Sequence, residues 1–401
     1  MKSSLSQKTK YSFFQIILLG LFLLISMNFA NLYFYLVFVA FFICFVANLN
    51  TMKMDIVFIF LMLFSICYAI FYGSLGDTYK TIMKQFVYPM CYFVGLNLFS
   101  NKKKTTNAVD ANNQVAISVY VVAIGALIHF VLNAWTNRGS ENRNTIDFWT
   151  KEVSSATGQA LLAVLALSVF ATWLFQSKGI KKKLLAFSGL GVIFAYNLIL
   201  AGRTILILAL LVIALAYFYA MKSSGIAEKA RKSIFVILAV LAVAVMFFNN
   251  TLGIQDMILG SNLSNRFDNI EMLEDTRIQL KLRYLTHMFE YPMGGNYLRP
   301  LVDGYAHELY LDAYNDVGII GYLLVILVVI SCTYTVVKLI RSRNLSSNAS
   351  SLLLCAFFAM NIVFFLEPIL QGAPWLFCLF CFLSGIAKSI NTKKPTVSIS
   401  Q

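Results

Sequence analysis

Charge is scarce in this chain: only 12% of its 401 residues are Asp, Glu, Lys or Arg, against 59% hydrophobic. That shortage, with a mean hydropathy of +0.74, excludes a soluble globular enzyme, a secreted domain and a disordered chain. Proline is also rare, six in all, so long helices can run unbroken. Three histidines leave little material for a histidine-based metal centre. No HExxH, Walker loop, GxGxxG, DxD-type metal motif or GxSxG stands at a plausible position, so metal, nucleotide and serine-hydrolase chemistry have no support. The seven cysteines all fall in hydrophobic stretches. Cys378 and Cys381 form a CxxC inside an apolar run, where zinc would lack partner ligands, so they read as small packing residues.

What is present is apolar helix. Runs and polar breaks predict twelve membrane spans, near 11–30, 32–48, 56–72, 86–100, 115–134, 159–176, 184–201, 205–221, 234–250, 317–337, 350–366 and 376–390. The fold class expected is therefore an all-α integral membrane protein with one large loop between spans 9 and 10. The stretch 184–221 is too long for one helix and is broken at Ala201-Gly202-Arg203-Thr204. Organisation follows as residues 1–250 with spans 1–9, a loop subdomain at 251–316, and residues 317–401 with spans 10–12 and a tail. The first span follows Lys2, Lys8 and Lys10 and reads as a retained anchor, since no small-residue cleavage site follows it.

The positive-inside rule puts both termini in the cytoplasm. This assignment collects 21 basic residues inside and 11 outside, with three acids inside and fifteen outside. The formal charge of +14 is thus a topology signal, and nucleic acid is not needed to explain it. The outside cations depart from the pattern, because seven of the eleven are arginine: Arg138, Arg143, Arg203, Arg266, Arg277, Arg283 and Arg299. A planar guanidinium grips phosphate or carboxylate with two parallel bonds, so an anionic substrate handled at the outer face is the reading this bias favours.

Within the large loop, 270–290 reads as helix, ended by Tyr291-Pro292-Met293-Gly294. A second helical segment from Ala306 leads towards span 10, with Glu308, Asp312 and Asp316 at four-residue steps as an acidic stripe and His307 beside it. Gly318 and Gly321 read as small residues for close helix packing. His129, near the outer end of span 5, either lines a cavity or bonds to a neighbouring helix; His287 has no distinctive setting.

Several of these features together resemble the O-antigen ligase and polymerase superfamily, and within it the Wzy-type O-antigen polymerases. They are the twelve spans with a large loop between the ninth and tenth, and the Arg203-Thr204 turn. To these add Arg283 followed by ten residues and Gly294, and His307 followed by Gly318 and Gly321. Glu308 stands where ligases carry Asn, Ser or Gln, and neither Arg138 nor Arg143 has a glycine at the motif spacing.

The resemblance implies a periplasm-facing glycosyltransferase of the bacterial inner membrane that joins undecaprenyl-diphosphate-linked oligosaccharide units into surface polysaccharide. It implies His307 and Arg283 as catalytic, Arg203, Arg277 and Arg283 as diphosphate ligands, and Arg138, Arg299 and Glu308 as further substrate contacts. It implies no cofactor. The partners would be the lipid-linked oligosaccharide, membrane lipids and a chain-length-regulating membrane protein. The alternatives are an O-antigen ligase with a lipid A–core acceptor, a twelve-span glycolipid transporter, and a structural partner in polysaccharide assembly.

Overall fold

The computed structural model describes residues 11–73, 79–100, 105–106, 108–138, 145–222, 224–261, 276–294, 306–342, 345–392 and 394–395. Among the described residues the regular structure is helical apart from four two-residue strands. The first half comprises α1 (Phe13–Ser26), α2 (Tyr33–Ala47), α3 (Ile56–Gly73), α4 (Tyr79–Gln85), α5 (Val87–Leu98), α6 (Ala108–Thr136), α7 (Ala156–Leu161) and α8 (Val164–Gln176). The second comprises α9 (Ile180–Leu200), α10 (Arg203–Lys222), α11 (Ile226–Phe248), α12 (Ile254–Leu259), α13 (Thr276–His287), α14 (Leu309–Arg341), α15 (Ser347–Leu366), α16 (Ile369–Gly372) and α17 (Pro374–Asn391). Strands β1 (Thr105–Thr106) and β4 (Lys394–Pro395) pair in parallel, and β2 (Thr145–Ile146) and β3 (Val153–Ser154) form an antiparallel ribbon.

Among the described residues, eight helices are long and apolar enough to cross a membrane, and α1, α2 and α3 are shorter apolar helices. A helix pairs its backbone polar groups within itself, the condition that hydrocarbon imposes on a spanning segment. The centre of the bundle is α5 against α17. Every residue of α5 but Met90 is buried, and the two helices approach until backbone meets backbone. A Cβ on Gly95 would run into the Phe382 carbonyl, and one on Gly385 into that of Tyr92. Cys378 and Cys381 are fully buried in this layer. At the periphery α11 leaves Ile234, Ile237, Leu241 and Phe248 exposed, an apolar surface of the kind lipid covers.

Successive connections gather at opposite ends of the bundle. At one end Asn97 donates to the Lys53 carbonyl, Lys388 lies 3.5 Å from Asp55, the Ser346 amide donates to Asn112, and β1 pairs with β4. At the other end Trp149 donates to the Met27 carbonyl, Thr204 to Glu367, and Lys281 to the Phe365 carbonyl. The 184–221 run is two helices, α9 and α10. Ala201, in the left-handed region at φ 51°, ends the first, and the Gly202 amide closes the turn on the Asn197 carbonyl.

The approach to α14 differs from the sequence expectation. The helix starts at Leu309, with Glu308 as its N-cap residue, and it breaks at Gly318, where φ is 75° and ψ −165°. Gly318 therefore serves a backbone break, and what reaches it is the Tyr291–Gly294 turn. The Ile319 amide donates to the Pro292 carbonyl at 2.9 Å. A Cβ on Gly294 would sit 3.0 Å from the Gly318 Cα and clash with the Tyr314 carbonyl. Gly321 packs within its own helix, against Val317 and Ala313. Two residues of the acidic stripe are enclosed, Asp312 at 0% exposure and Asp316 at 8%. Tyr284, Met288, Ala306, Leu311 and Tyr314 form a second small core that joins α13 to the head of α14.

Gly318→Ala tests this break. Its backbone angles lie in a region essentially reserved for glycine, and the added methyl would stand 2.5 Å from the Pro292 oxygen. The expected cost is about 1–3 kcal/mol, read as a lowered unfolding midpoint of the detergent-solubilised protein. Gly20→Ala in α1, where a Cβ meets nothing within 4 Å, should leave the midpoint unchanged or raise it.

Candidate functional site

Two cavities open at the end of the bundle that carries Trp149, Thr204 and Lys281, and α7 stands between them. Its N-terminus is set by Ser155, whose side chain accepts from the Gly158 amide. From that helix Ala156, Thr157, Ala160 and Leu161 line the first cavity, and Gly158 and Gln159 line the second.

The first cavity, about 270 Å³, is also lined by Arg203, Thr204, Lys281 and Glu367. These come from three distant parts of the chain. Arg203 and Thr204 open α10 directly after the left-handed Ala201. Lys281 reaches in from α13, and Glu367 caps the C-terminal end of α15. Glu367 is 3% exposed, and the Thr204 hydroxyl donates to its Oε1 at 2.7 Å. Lys281 Nζ lies 3.2 Å from Glu308 Oε2 and donates to the Phe365 carbonyl at 2.7 Å. Burial pushes the Glu308 carboxyl up, against the opposing pull of the Lys281 ammonium. An arginine, a lysine and the Glu367 carboxylate thus share one recess, with Glu308 paired to the lysine, a setting able to hold an anion and manage protons beside it.

The residues singled out in the sequence divide. Arg203 lines the first cavity, and Glu308 reaches it through Lys281. His307, one residue before Glu308, is half-buried and has left-handed backbone at φ 57°, the kind of strained position that clusters at functional sites. Arg283 is exposed on α13. It stands two residues beyond Lys281, and helix geometry turns residues two apart to different faces. Arg277 lies in the first turn of α13, with its side chain outside the described residues. Arg138 is exposed and stacks on Trp135, 4.2 Å from the ring centroid. Arg299 and Arg143 lie outside the described residues.

The second cavity, about 250 Å³, is lined by His129, Asn133, Asp147, Gln159, Tyr33 and Trp375 among others. Here α6 carries His129 and Asn133, Asn137 follows one residue past its end at the same four-residue step, and this stripe clips the 145–155 ribbon in place. His129 Nε2 meets Asp147 Oδ2 at 2.8 Å, Asn133 Oδ1 accepts from the Phe148 amide, and Asn137 bonds both polar groups of the Ile146 backbone. Burial alone would raise the Asp147 carboxyl. The bonds from His129 and from the Thr150 and Trp149 amides outweigh it and hold the group well below the usual carboxylate range.

No protein-family model matches the chain, and no curated protein matches it.

Because the Asp147 carboxyl is depressed in the fold, its stabilising share is complete above the ordinary carboxylate value of 3.8. It is lost as pH falls through the lower folded value. The unfolding midpoint of the wild type should therefore fall on acidification below about pH 4, and Asp147→Asn should flatten that limb while lowering the midpoint near neutrality. An identical acid limb in the variant would remove Asp147 from the acid response.

Proposed function

We propose that the chain is a surface-polysaccharide polymerase, a periplasm-facing glycosyltransferase that joins undecaprenyl-diphosphate-linked oligosaccharide units at the end of the bundle bearing the two cavities. The observation that carries this reading is the first cavity, in which Arg203 and Lys281 converge at the edge of a helical, apolar bundle. A lipid-linked donor has a leaving group, the diphosphate, that stays tethered to the membrane. Its site must therefore lie at the membrane boundary and supply fixed positive charge. The resemblance of the Arg203-Thr204 turn and of the His307–Gly318 spacing to the O-antigen polymerases supports the same assignment. In the proposed reading twelve spans place both termini in the cytoplasm.

The acceptor hydroxyl oxygen attacks the anomeric carbon of the donor sugar. The bond from that carbon to the diphosphate oxygen breaks, and the diphosphate leaves with the electron pair. Arg203 and Lys281 offset the charge that develops on it. The acceptor proton passes to His307, which stands beside the Glu308–Lys281 pair. Thr204 and Glu367 keep the α9–α10 turn against the end of α15, and with it the position of Arg203.

Arg203→Lys keeps the charge and loses the bidentate fork, and Lys281→Ala removes the second cation. Each should lower polymerisation by about 10²–10³ in a purified assay with lipid-linked units, and His307→Ala by about 10²–10⁴. Arg283→Ala, on the exposed face of α13, should cost less than either cavity variant. Wild-type chain-length distributions in both Arg203→Ala and Lys281→Ala would contradict the diphosphate assignment. In a deletion strain, a core carrying one repeat unit is expected; a bare core with accumulated lipid-linked polymer would mean a ligase instead.

Sidedness has its own test. A reporter active only in the periplasm should give signal when fused after residue 145 or 300 and none after 104, 182 or 345. A signal at 182 would reverse the orientation on which the reading depends.

A further inference from the structure

The second cavity differs in chemistry from the first. Where guanidinium and ammonium groups lead in the first, the second is lined mainly by side-chain amides, an imidazole and aromatic rings, with Asp147, bonded to His129, and Lys84 as its charged members. Three of its lining residues are almost wholly enclosed: His129 at 2% exposure, Asn133 at 0% and Gln159 at 1%. Each uses one polar atom to hold the fold. His129 Nε2 is committed to Asp147, Asn133 Oδ1 to the Phe148 amide, and Gln159 Oε1 accepts from the Tyr196 hydroxyl at 2.8 Å.

Each also carries a buried second atom with no hydrogen-bond partner among the described residues: His129 Nδ1, Asn133 Nδ2 and Gln159 Nε2. Leaving a buried donor or acceptor unmet costs about 1–3 kcal/mol, so three such atoms on residues lining one recess point to something that meets them. Trp375 and Tyr33 contribute ring surface to the same wall, and Lys84 stands exposed among the lining residues. The recess is several times the volume of a water molecule, about 30 Å³.

A neutral, hydroxyl-rich ring matches this lining, because each sugar hydroxyl both donates and accepts while its C–H face packs on aromatic carbon. We infer that the second cavity is a binding site for the neutral sugar of the acceptor glycan, across α7 from the diphosphate cavity. The inference rests on the proposed polymerase reading for the word acceptor, while the binding of neutral sugar by this cavity stands on the lining itself. Helix α7 then acts as a partition with one cavity on each side, so that the lipid-linked diphosphate and the incoming sugar are held by different walls of one site.

The test uses the full-length protein in lipid nanodiscs with two probes: lipid-free neutral oligosaccharides, titrated by saturation-transfer proton NMR, and inorganic pyrophosphate, titrated by the broadening of its phosphorus NMR line. Asn133→Asp and Gln159→Glu retain the oxygen that holds the fold and replace only the unmet N–H donor. Their thermal unfolding should match the wild type to establish that the fold is kept. The wild type should bind a neutral oligosaccharide, and each variant should bind it about tenfold more weakly, with pyrophosphate binding unchanged. Should the acidic variants unfold, Trp375→Phe, which keeps an aromatic ring and reduces only the stacking face, provides the second reading, again with weaker oligosaccharide binding and unchanged pyrophosphate binding expected.

Undiminished oligosaccharide binding in the folded variants would overturn the location. Pyrophosphate binding without any oligosaccharide binding would overturn the inference and leave the polymerase reading standing, the cavity then holding water alone. Oligosaccharide binding lost in the variants, with no polymerisation by the wild type, would uphold the sugar site and overturn the polymerase reading.

Discussion

The seat of the Tyr291–Gly294 turn on the break at Gly318 is the contact on which the placement of α13 against the head of α14 depends. It is a backbone-on-backbone contact, closed by the Ile319 amide on the Pro292 carbonyl and by the Tyr314 hydroxyl, which donates to the Tyr291 carbonyl at 2.8 Å. A side chain at either glycine would separate the two segments. With the turn seated, Tyr284 is buried against Tyr314, and α13 is held across the end of the bundle. Lys281 is thereby delivered to the first cavity, where it meets Glu308 and the carbonyl end of α15. A glycine pair far from any chemistry thus sets where a cation stands.

The second organising feature is the division of polar groups between the ends of the bundle. Amides and carboxylates inside hydrocarbon are costly unless bonded, and here most are spent on holding connections to helix ends. The His129–Asn133–Asn137 stripe fixes the 145–155 ribbon, and Asn97 fixes the backbone at Lys53. The atoms left over around the second cavity are among the buried polar atoms that this bonding does not use.

Much of the fold was legible because apolar runs of helix length have few other uses, and each of the twelve predicted stretches falls on a helix. The Arg203 turn was legible because it interrupts a run too long for one helix. The glycine spacings after Arg283 and His307 were legible as motifs, but that Gly294 and Gly318 meet each other is a tertiary fact. Lys281 was passed over because the reading weighed arginine above lysine at the outer face, and Arg283, two residues on, points elsewhere. Glu367 left a signal that could have found it, a lone acid between an apolar span and Pro368. So did the last turns of α6 and the residue after them, where His129, Asn133 and Asn137 recur at four-residue steps after an apolar stretch; the partner Asp147 lies in a loop that no periodicity addresses.

The account's central claim is that a lipid-linked diphosphate sits in the first cavity. The most direct measurement is a structure of the protein in lipid nanodiscs with an undecaprenyl-diphosphate-linked oligosaccharide bound. The account predicts diphosphate density between Arg203 and Lys281, with the sugar running towards α7. Density on the Arg283 face of α13, or at the opposite end of the bundle near Asp55 and Lys388, would contradict it.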